Sequence, residues 1–211
     1  MNQSYLDESF LAALKRGSWE NAFLLIAQGA HARIENDLAL RRAAMTNRVK
    51  EAATLLSMGA DPRAQNHQAM RHACRLGYVD MARLLIESGA DLDEPEGEPL
   101  RLAVEYRNPL VVRLLIDQGA DVPSSGAPAL WQAVKMGDGE IEGLLIKAGA
   151  RLHVVACEAD SDTLERLVRA GASTQGVPEA QAIAERISLE QTLFSMTPGS
   201  VVRPAISRGL G

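Results

Sequence analysis

The chain is short of the features that mark catalysts, membrane proteins and nucleic-acid binders. Aromatic residues make up only 4% of it, which argues against a β-sandwich, whose strands draw on aromatic and β-branched side chains. Ala and Leu carry most of the apolar content instead, a composition suited to close helix packing. Positive charge is not in excess: the formal net charge is −5 and the pI near 5.4. A protein that grips a nucleic-acid backbone shows a basic stripe, so no direct nucleic-acid binding is expected. No apolar run reaches the roughly 18 residues that a membrane span needs. The opening "MNQSYLDESFLAALKRGSW" has no basic segment followed by an unbroken apolar core, so it is not expected to act as a signal peptide. Cys74 and Cys157 are the only cysteines, with no metal-like spacing. They are expected as reduced, buried thiols of a cytoplasmic protein. His31, His67, His72 and His153 are scattered, with no i, i+4 pair; no metal and no cofactor is expected. With no G-x-S-x-G, P-loop or dinucleotide fingerprint, no enzyme is expected either.

What the chain does have is one phrase written repeatedly. "LLSMGADPRA" (55–64), "LLIESGADLD" (84–93), "LLIDQGADVP" (114–123) and "LLIKAGARLH" (144–153) are near-copies. The Gly-Ala pair falls at 29–30, 59–60, 89–90, 119–120 and 149–150, and once more at 171–172 after a shorter interval. A fixed period in this range is the mark of stacked structural repeats.

Nineteen residues before each glycine stand Phe10, Leu40, Met70, Leu100, Leu130 and Leu152, all large and apolar. Three residues further on are Ala13, Ala43, Ala73, Ala103, Ala133 and Val155. That spacing puts a large and a small residue on one helix face, where the small one admits a neighbouring helix. Gly17, Asn47, Gly77, Arg107, Gly137 and Ala159 follow, and the Gly and Asn copies read as helix stops. A second helical run then leads to Gly-Ala, which reads as another C-cap. Each unit is therefore a helix, a tight turn, a helix and a loop, a pair that needs neighbours on both sides.

The units resemble ankyrin repeats, whose usual length is 33 residues with a T-P-L-H-x-A opening. The matching segments are "LALRRAA" (38–44), "QAMRHAC" (68–74), "EPLRLAV" (98–104) and "PALWQAV" (128–134). The resemblance implies an all-α, ankyrin-type solenoid of about six short repeats with a C-terminal capping helix. Its units would lie near 6–32, 37–62, 67–92, 97–122, 127–151 and 152–175, followed by a helix over 176–196 and a flexible tail over 197–211. The apolar stripe Ala180, Ile183, Ala184, Ile187 and Phe194 would seal the last repeat, or else let this helix dock into a partner's groove.

The repeats depart from the family in two ways. They are three residues short, so the projecting finger between units is expected as a compact loop, a variety similar to that of some viral and microbial ankyrin proteins. The family's Thr position holds Leu38, Gln68, Glu98 and Pro128, and its His position holds Arg41, Arg71, Arg101, Trp131 and His153. The arginines either satisfy loop carbonyls and carboxylates such as Asp61, Asp91 or Asp121, or form a ladder that receives an acidic partner.

By the resemblance, the chain binds another protein through its concave first-helix and loop surface, as a monomer or weak homo-oligomer. It could act there as an inhibitor or host-interaction factor. The candidate contacts are Arg42, Thr46, His72, Arg75, Leu76, Leu102, Tyr106, Trp131, Gln132 and Met136, with Met45, Glu105 and Lys135 in the same rows. Leu76, Leu102, Tyr106, Met136 and Trp131 would gather an apolar, aromatic patch with Arg42 and Arg75 beside it, unless the same side chains pack between repeats. Two alternatives stay open: an acidic mimic that regulates a nucleic-acid-binding protein, and an enzyme or small-ligand binder using the arginine rows.

Overall fold

The 30-residue beat fixes where each second helix starts. In the computed structural model, which describes residues 2–93 and 97–196, α2 (Trp19–Ala27), α4 (Val49–Ser57), α6 (Val79–Glu87), α8 (Pro109–Asp117) and α10 (Gly139–Lys147) begin 30 residues apart. α12 (Ser161–Arg169) comes after only 22, in step with the early sixth Gly-Ala pair. The first helices are α1 (Gln3–Arg16), α3 (Ile34–Met45), α5 (Ala64–Leu76), α7 (Glu98–Glu105), α9 (Val122–Met136) and α11 (His153–Glu158); α13 (Pro178–Met196) follows the sixth pair. No strand forms among the described residues, only an isolated parallel bridge between Arg151 and Ser173. The fold is an all-α solenoid of six helix pairs with a C-terminal helix.

The first helices pack in sequence, α1 through α11, into one row, and α4, α6, α8 and α10 pack into a second row behind it. The six large residues that precede each Gly-Ala by nineteen positions are all buried, and so are the small residues three positions later. Burying each large side chain contributes about 1.5–3 kcal/mol, and the small ones keep the two rows close enough to do so.

Both helix ends close the same way in nearly every unit. At the second-helix end the glycine N–H bonds the carbonyl three residues back and the alanine N–H bonds the one five back: Gly29 to Ile26 at 2.9 Å, Ala30 to Leu25 at 2.9 Å, and so on to Ala172 and Leu167 at 3.0 Å. This double closure needs a left-handed residue at the glycine, whose φ runs from 87° to 107° in the six copies. At the first-helix end Gly17, Asn47, Gly77 and Gly137 are left-handed, as the sequence indicates. Arg107 joins them at φ 55°, a conformation that costs a side-chain-bearing residue about 1–2 kcal/mol. Its guanidinium donates to Met136 O at 2.7 Å, across the repeat boundary, and so holds the strained turn. Ala159, in the sixth unit, is extended.

Side chains from one repeat also take up backbone carbonyls at the helix ends of another, which the helices themselves leave open. Arg42 donates to Lys15 O at 2.9 Å and Arg63 to Gly89 O at 2.9 Å. Asn108 donates to both Cys74 O and Arg75 O, at 2.8 and 3.0 Å. An ion pair joins the fifth and sixth units, the buried Glu142 accepting from the exposed Arg166 at 2.6 Å.

Four expectations change. The exit "GADVPSSG" is helical from Val122 onward, because Pro123 suits a first helical turn; α9 then runs on through Pro128, which supplies no N–H to the ladder. The junctions after the first and second units coil left-handed, with positive φ at Glu35, Asp37, Gln65, Asn66 and His67. Cys74 is buried as expected but Cys157 is exposed, because α11 has only six residues and leaves one side uncovered. Phe194 is 83% exposed and outside the packed stripe. The nineteen-residue α13 is roughly 28 Å long against about 14 Å for the nine-residue α12 on which it packs. Ala180 and Ile187 are buried at that contact, and Glu165, Arg169, Arg186 and Glu190 form a charge network across it. The expected flexible tail, 197–211, lies outside the described residues.

Two outcomes follow from this geometry. A Cβ on Gly77 would come within 2.6 Å of Asn108 Oδ1, whereas one on Gly137 meets nothing within 4 Å. Gly137→Ala should cost about 1–2 kcal/mol of left-handed strain, and Gly77→Ala about 1–2 kcal/mol more as Asn108 loses its two carbonyl bonds. Urea unfolding of the two variants measures the difference. Burial pushes the Cys74 thiol up to about 12; a thiol reagent should therefore label the folded chain at Cys157 alone, and both thiols only after unfolding.

Candidate functional site: the first-helix face

Two adjoining grooves run between first helices in the third to sixth units. The first, of about 390 Å³, lies between α5 and α7 and is lined by Gln68, Arg71, His72, Arg75, Glu98, Arg101, Leu102, Glu105 and Tyr106. The second, of about 360 Å³, lies between α7, α9 and α11 and is lined by Arg101, Glu105, Pro128, Trp131, Gln132, Lys135 and Val154. Arg101 and Glu105 belong to both, so the grooves share a wall.

Arg41 and Arg71 of the arginine row settle into inter-repeat contacts. Arg41 donates to Gln68 Oε1 at 2.7 Å and to Glu35 O at 3.2 Å, and Arg71 pairs with Glu98 at 3.0 Å. Each thus reaches the residue at the family's Thr position in the next repeat, rather than an aspartate of the Gly-Ala-Asp turns. Those aspartates cap their own turns: Asp61 Oδ1 accepts from Arg63 N at 2.9 Å and Asp91 Oδ1 from Asp93 N at 3.0 Å. Arg101 faces Pro128 in the next repeat, which offers no side-chain acceptor, and pairs on its own helix with Glu98 at 3.3 Å and Glu105 at 3.2 Å.

Arg75 and Lys135 engage aromatic rings. The Arg75 guanidinium lies 5.9 Å from the centroid of the exposed Tyr106 ring and 3.4 Å from His72 Nδ1. Lys135 Nζ lies 5.5 Å from the Trp131 ring, whose Nε1 donates to Glu158 at 2.6 Å. His72 is half-buried, and its pKa is lowered, first by that burial and then by repulsion from Arg75, Arg71 and Arg41. The imidazole is therefore neutral at pH 7 and accepts from Arg75 at Nδ1.

The ten candidate contacts do not all meet. His72, Arg75, Leu102 and Tyr106 line the first groove, and Trp131 and Gln132 the second. Leu102, expected on the surface, is buried, because its side chain fills the floor between α5 and α7. Arg42 is tied to Lys15 O, Thr46 Oγ1 donates to Arg42 O at 2.8 Å, and Met136 Sδ accepts from Gln132 at 3.4 Å. Arg42, Thr46, Leu76 and Met136 line neither groove. Glu98, a groove-lining residue absent from the candidate set, carries its signal in the sequence as a carboxylate standing where the family has Thr.

Stacked helix pairs with a groove along one row of helices define a helical-repeat binding scaffold. The chain belongs to the ankyrin repeat family: a family model of ankyrin repeats (3 copies) matches residues 10–96, and a model of the ankyrin repeat matches residues 99–124. No curated protein matches the chain in sequence. Ankyrin repeats are in general non-enzymatic modules of protein–protein interaction. Among the described residues no helix is long and apolar enough to cross a membrane.

The lowered pKa of His72 has a thermodynamic consequence. Below the ordinary imidazole pKa of about 6.5, the unfolded chain takes up a proton that the folded chain resists, so stability is lost as pH falls toward the folded-state value. The melting temperature should decline from about pH 7 to about pH 5, and His72→Gln should flatten that decline. Asp7, held below its ordinary value by the His31 backbone N–H, and Glu165, held low by Arg169, act only near and below about pH 4.

Proposed function

We propose that the chain is a non-enzymatic adaptor that holds a segment of a partner protein along α5, α7 and α9. The observation that carries this reading is the pair of adjoining grooves, each with an aromatic ring set by a cation at its edge: Tyr106 by Arg75 and Trp131 by Lys135. Aromatic and Arg side chains dominate binding energy at interfaces, and rings already fixed in place lose little entropy on association. Arg75, His72, Tyr106, Trp131 and Gln132 are the contacts of this proposal. Arg42, Thr46, Leu76 and Met136 border it. The two carboxylates that line the grooves, Glu98 and Glu105, are each paired with Arg101, so an acidic-mimic role draws no support from the grooves. The narrower roles, a cytoplasmic inhibitor or host-interaction factor, rest only on the short repeat and the two unbridged thiols.

Affinity capture tests the reading. A Tyr106→Ala/Trp131→Ala double variant, shown by its melting curve to be folded, should lose captured partner by at least about tenfold against wild type. Equal yields from the two chains would place the interaction elsewhere.

A further inference from the structure

The first groove holds more hydrogen-bond donors than it can use. Three guanidinium groups, Arg71, Arg75 and Arg101, line the groove against the two carboxylates Glu98 and Glu105, and Arg41 acts on His72 from α3. The lining thus carries an excess of one positive charge in a chain whose formal net charge is −5. Arg71 and Arg101 share Glu98, and Arg101 also takes Glu105. Among the described residues Arg75 has no such carboxylate: its contacts are a neutral imidazole nitrogen and the Tyr106 ring face. A guanidinium has five N–H donors, and a ring face with one nitrogen leaves most of them for a ligand.

We infer that the groove between α5 and α7 recognises a carboxylate-bearing stretch of the partner, an Asp- or Glu-rich segment whose side chains pair with Arg75 and His72 beside Tyr106. This rests on the first-helix face being the protein-binding surface. Arg75 presents the fork that takes a carboxylate bidentately. Arg71 and Arg101, already neutralised in part, set the local field. His72 makes the recognition sensitive to pH. Around it stand Arg41 from α3, Arg71 and Arg75 from its own helix, and Glu98, Arg101 and Glu105 from α7. α6, which also packs on α5, buries Met81, Ala82 and Leu85. The burial and the positive neighbours keep the imidazole neutral, and an arriving carboxylate offsets the repulsion from those neighbours. Binding therefore draws a proton onto His72 Nδ1 as Arg75 turns from that nitrogen to the carboxylate, and tightens as the pH falls through the imidazole range, while glutamate side chains of the ligand stay ionised.

The probe is a fluorescein-labelled oligo-glutamate peptide, with oligo-glutamine as its uncharged counterpart, read by fluorescence anisotropy against the full chain. Oligo-glutamate should bind and oligo-glutamine should not, and binding should tighten by up to about tenfold between about pH 7.5 and about pH 5.5. Arg75→Gln should weaken binding at both pH values by about tenfold or more. His72→Gln should keep binding near its neutral-pH strength and lose the pH dependence. Arg113→Gln, on α8 and outside the groove, should bind as wild type does. In wild type, the His72 ring-proton titration followed by NMR should move to higher pH when peptide is added, a readout that needs no variant. Equal binding of the two peptides, or wild-type affinity in Arg75→Gln, overturns the inference. If oligo-glutamate fails to bind while the Tyr106→Ala/Trp131→Ala variant still loses its partners, the acidic specificity falls and the interaction surface stands. If the peptide binds through Arg75 while the double variant captures partners as well as wild type, the carboxylate site stands and the placing of the main contact falls.

Discussion

The left-handed glycine at the end of every second helix is the constraint on which the rest of the architecture depends. It lets two backbone N–H groups return to carbonyls of the helix just ended, so the chain reverses within two residues and buries the following alanine. The next first helix is then laid beside the previous one in the same orientation each time. That repetition carries Phe10, Leu40, Met70, Leu100, Leu130 and Leu152 to equivalent depths in one continuous core. A single cap is worth little, yet each repeat is stable only against its neighbours, so an error in one junction is felt on both sides of it.

Superimposed on this regular frame is a set of contacts that reach from one repeat into another. Arg42, Arg63, Arg107 and Asn108 each donate to carbonyls of a different unit. These groups lie at helix ends, where backbone acceptors have no partner in their own helix. Apolar packing sets the spacing of the repeats and is tolerant of small slips; the directional bonds fix the register. Arg107 shows the two acting together, since a long side chain anchored to Met136 O keeps its own backbone in a conformation that its residue type resists.

The periodic part of the fold was legible because periodicity is a property of one sequence: the anchors, the alanines three residues on and the Gly-Ala caps all fall where counting places them. What counting misses is decided by neighbours some 24 to 34 residues away. That Arg71 meets Glu98 and that Asn108 closes α5 depend on which side chain crosses a boundary, and the period gives positions without reaches. Arg107 was not readable as a left-handed stop, because local propensity points the other way. Pro123, Ser124, Ser125 and Gly126 read as a loop by composition, but Pro123 suits a first helical turn and helix takes its place. On the first-helix face, the rows of variable positions were readable, including Arg75, Tyr106 and Trp131. The charged lining was only half readable: the arginines stood out by their spacing, while Glu98 looked like a departure from a motif and Leu102 like surface.

The departure at Pro128 explains why the arginine series stops where the two grooves meet. Along the array each first-helix arginine finds its acceptor one repeat ahead: Arg41 takes Gln68 and Arg71 takes Glu98. At the next step the acceptor position is Pro128 and the series ends. Arg101 turns to its own helix, and the following position in the arginine row is Trp131, whose ring leans on Lys135 and reaches Glu158 instead. A repeat protein made of identical units would carry the same neutralised pairs along its whole face and would offer a ligand nothing distinctive at any point. Here the break in the series leaves the space between α7 and α9 without a bridging ion pair among the described residues. Arg75, one turn along α5 from Arg71, is left facing an aromatic ring rather than a carboxylate. The regular positions hold the scaffold rigid, and the irregular ones concentrate positive charge and aromatic surface at a single stretch of an otherwise acidic protein.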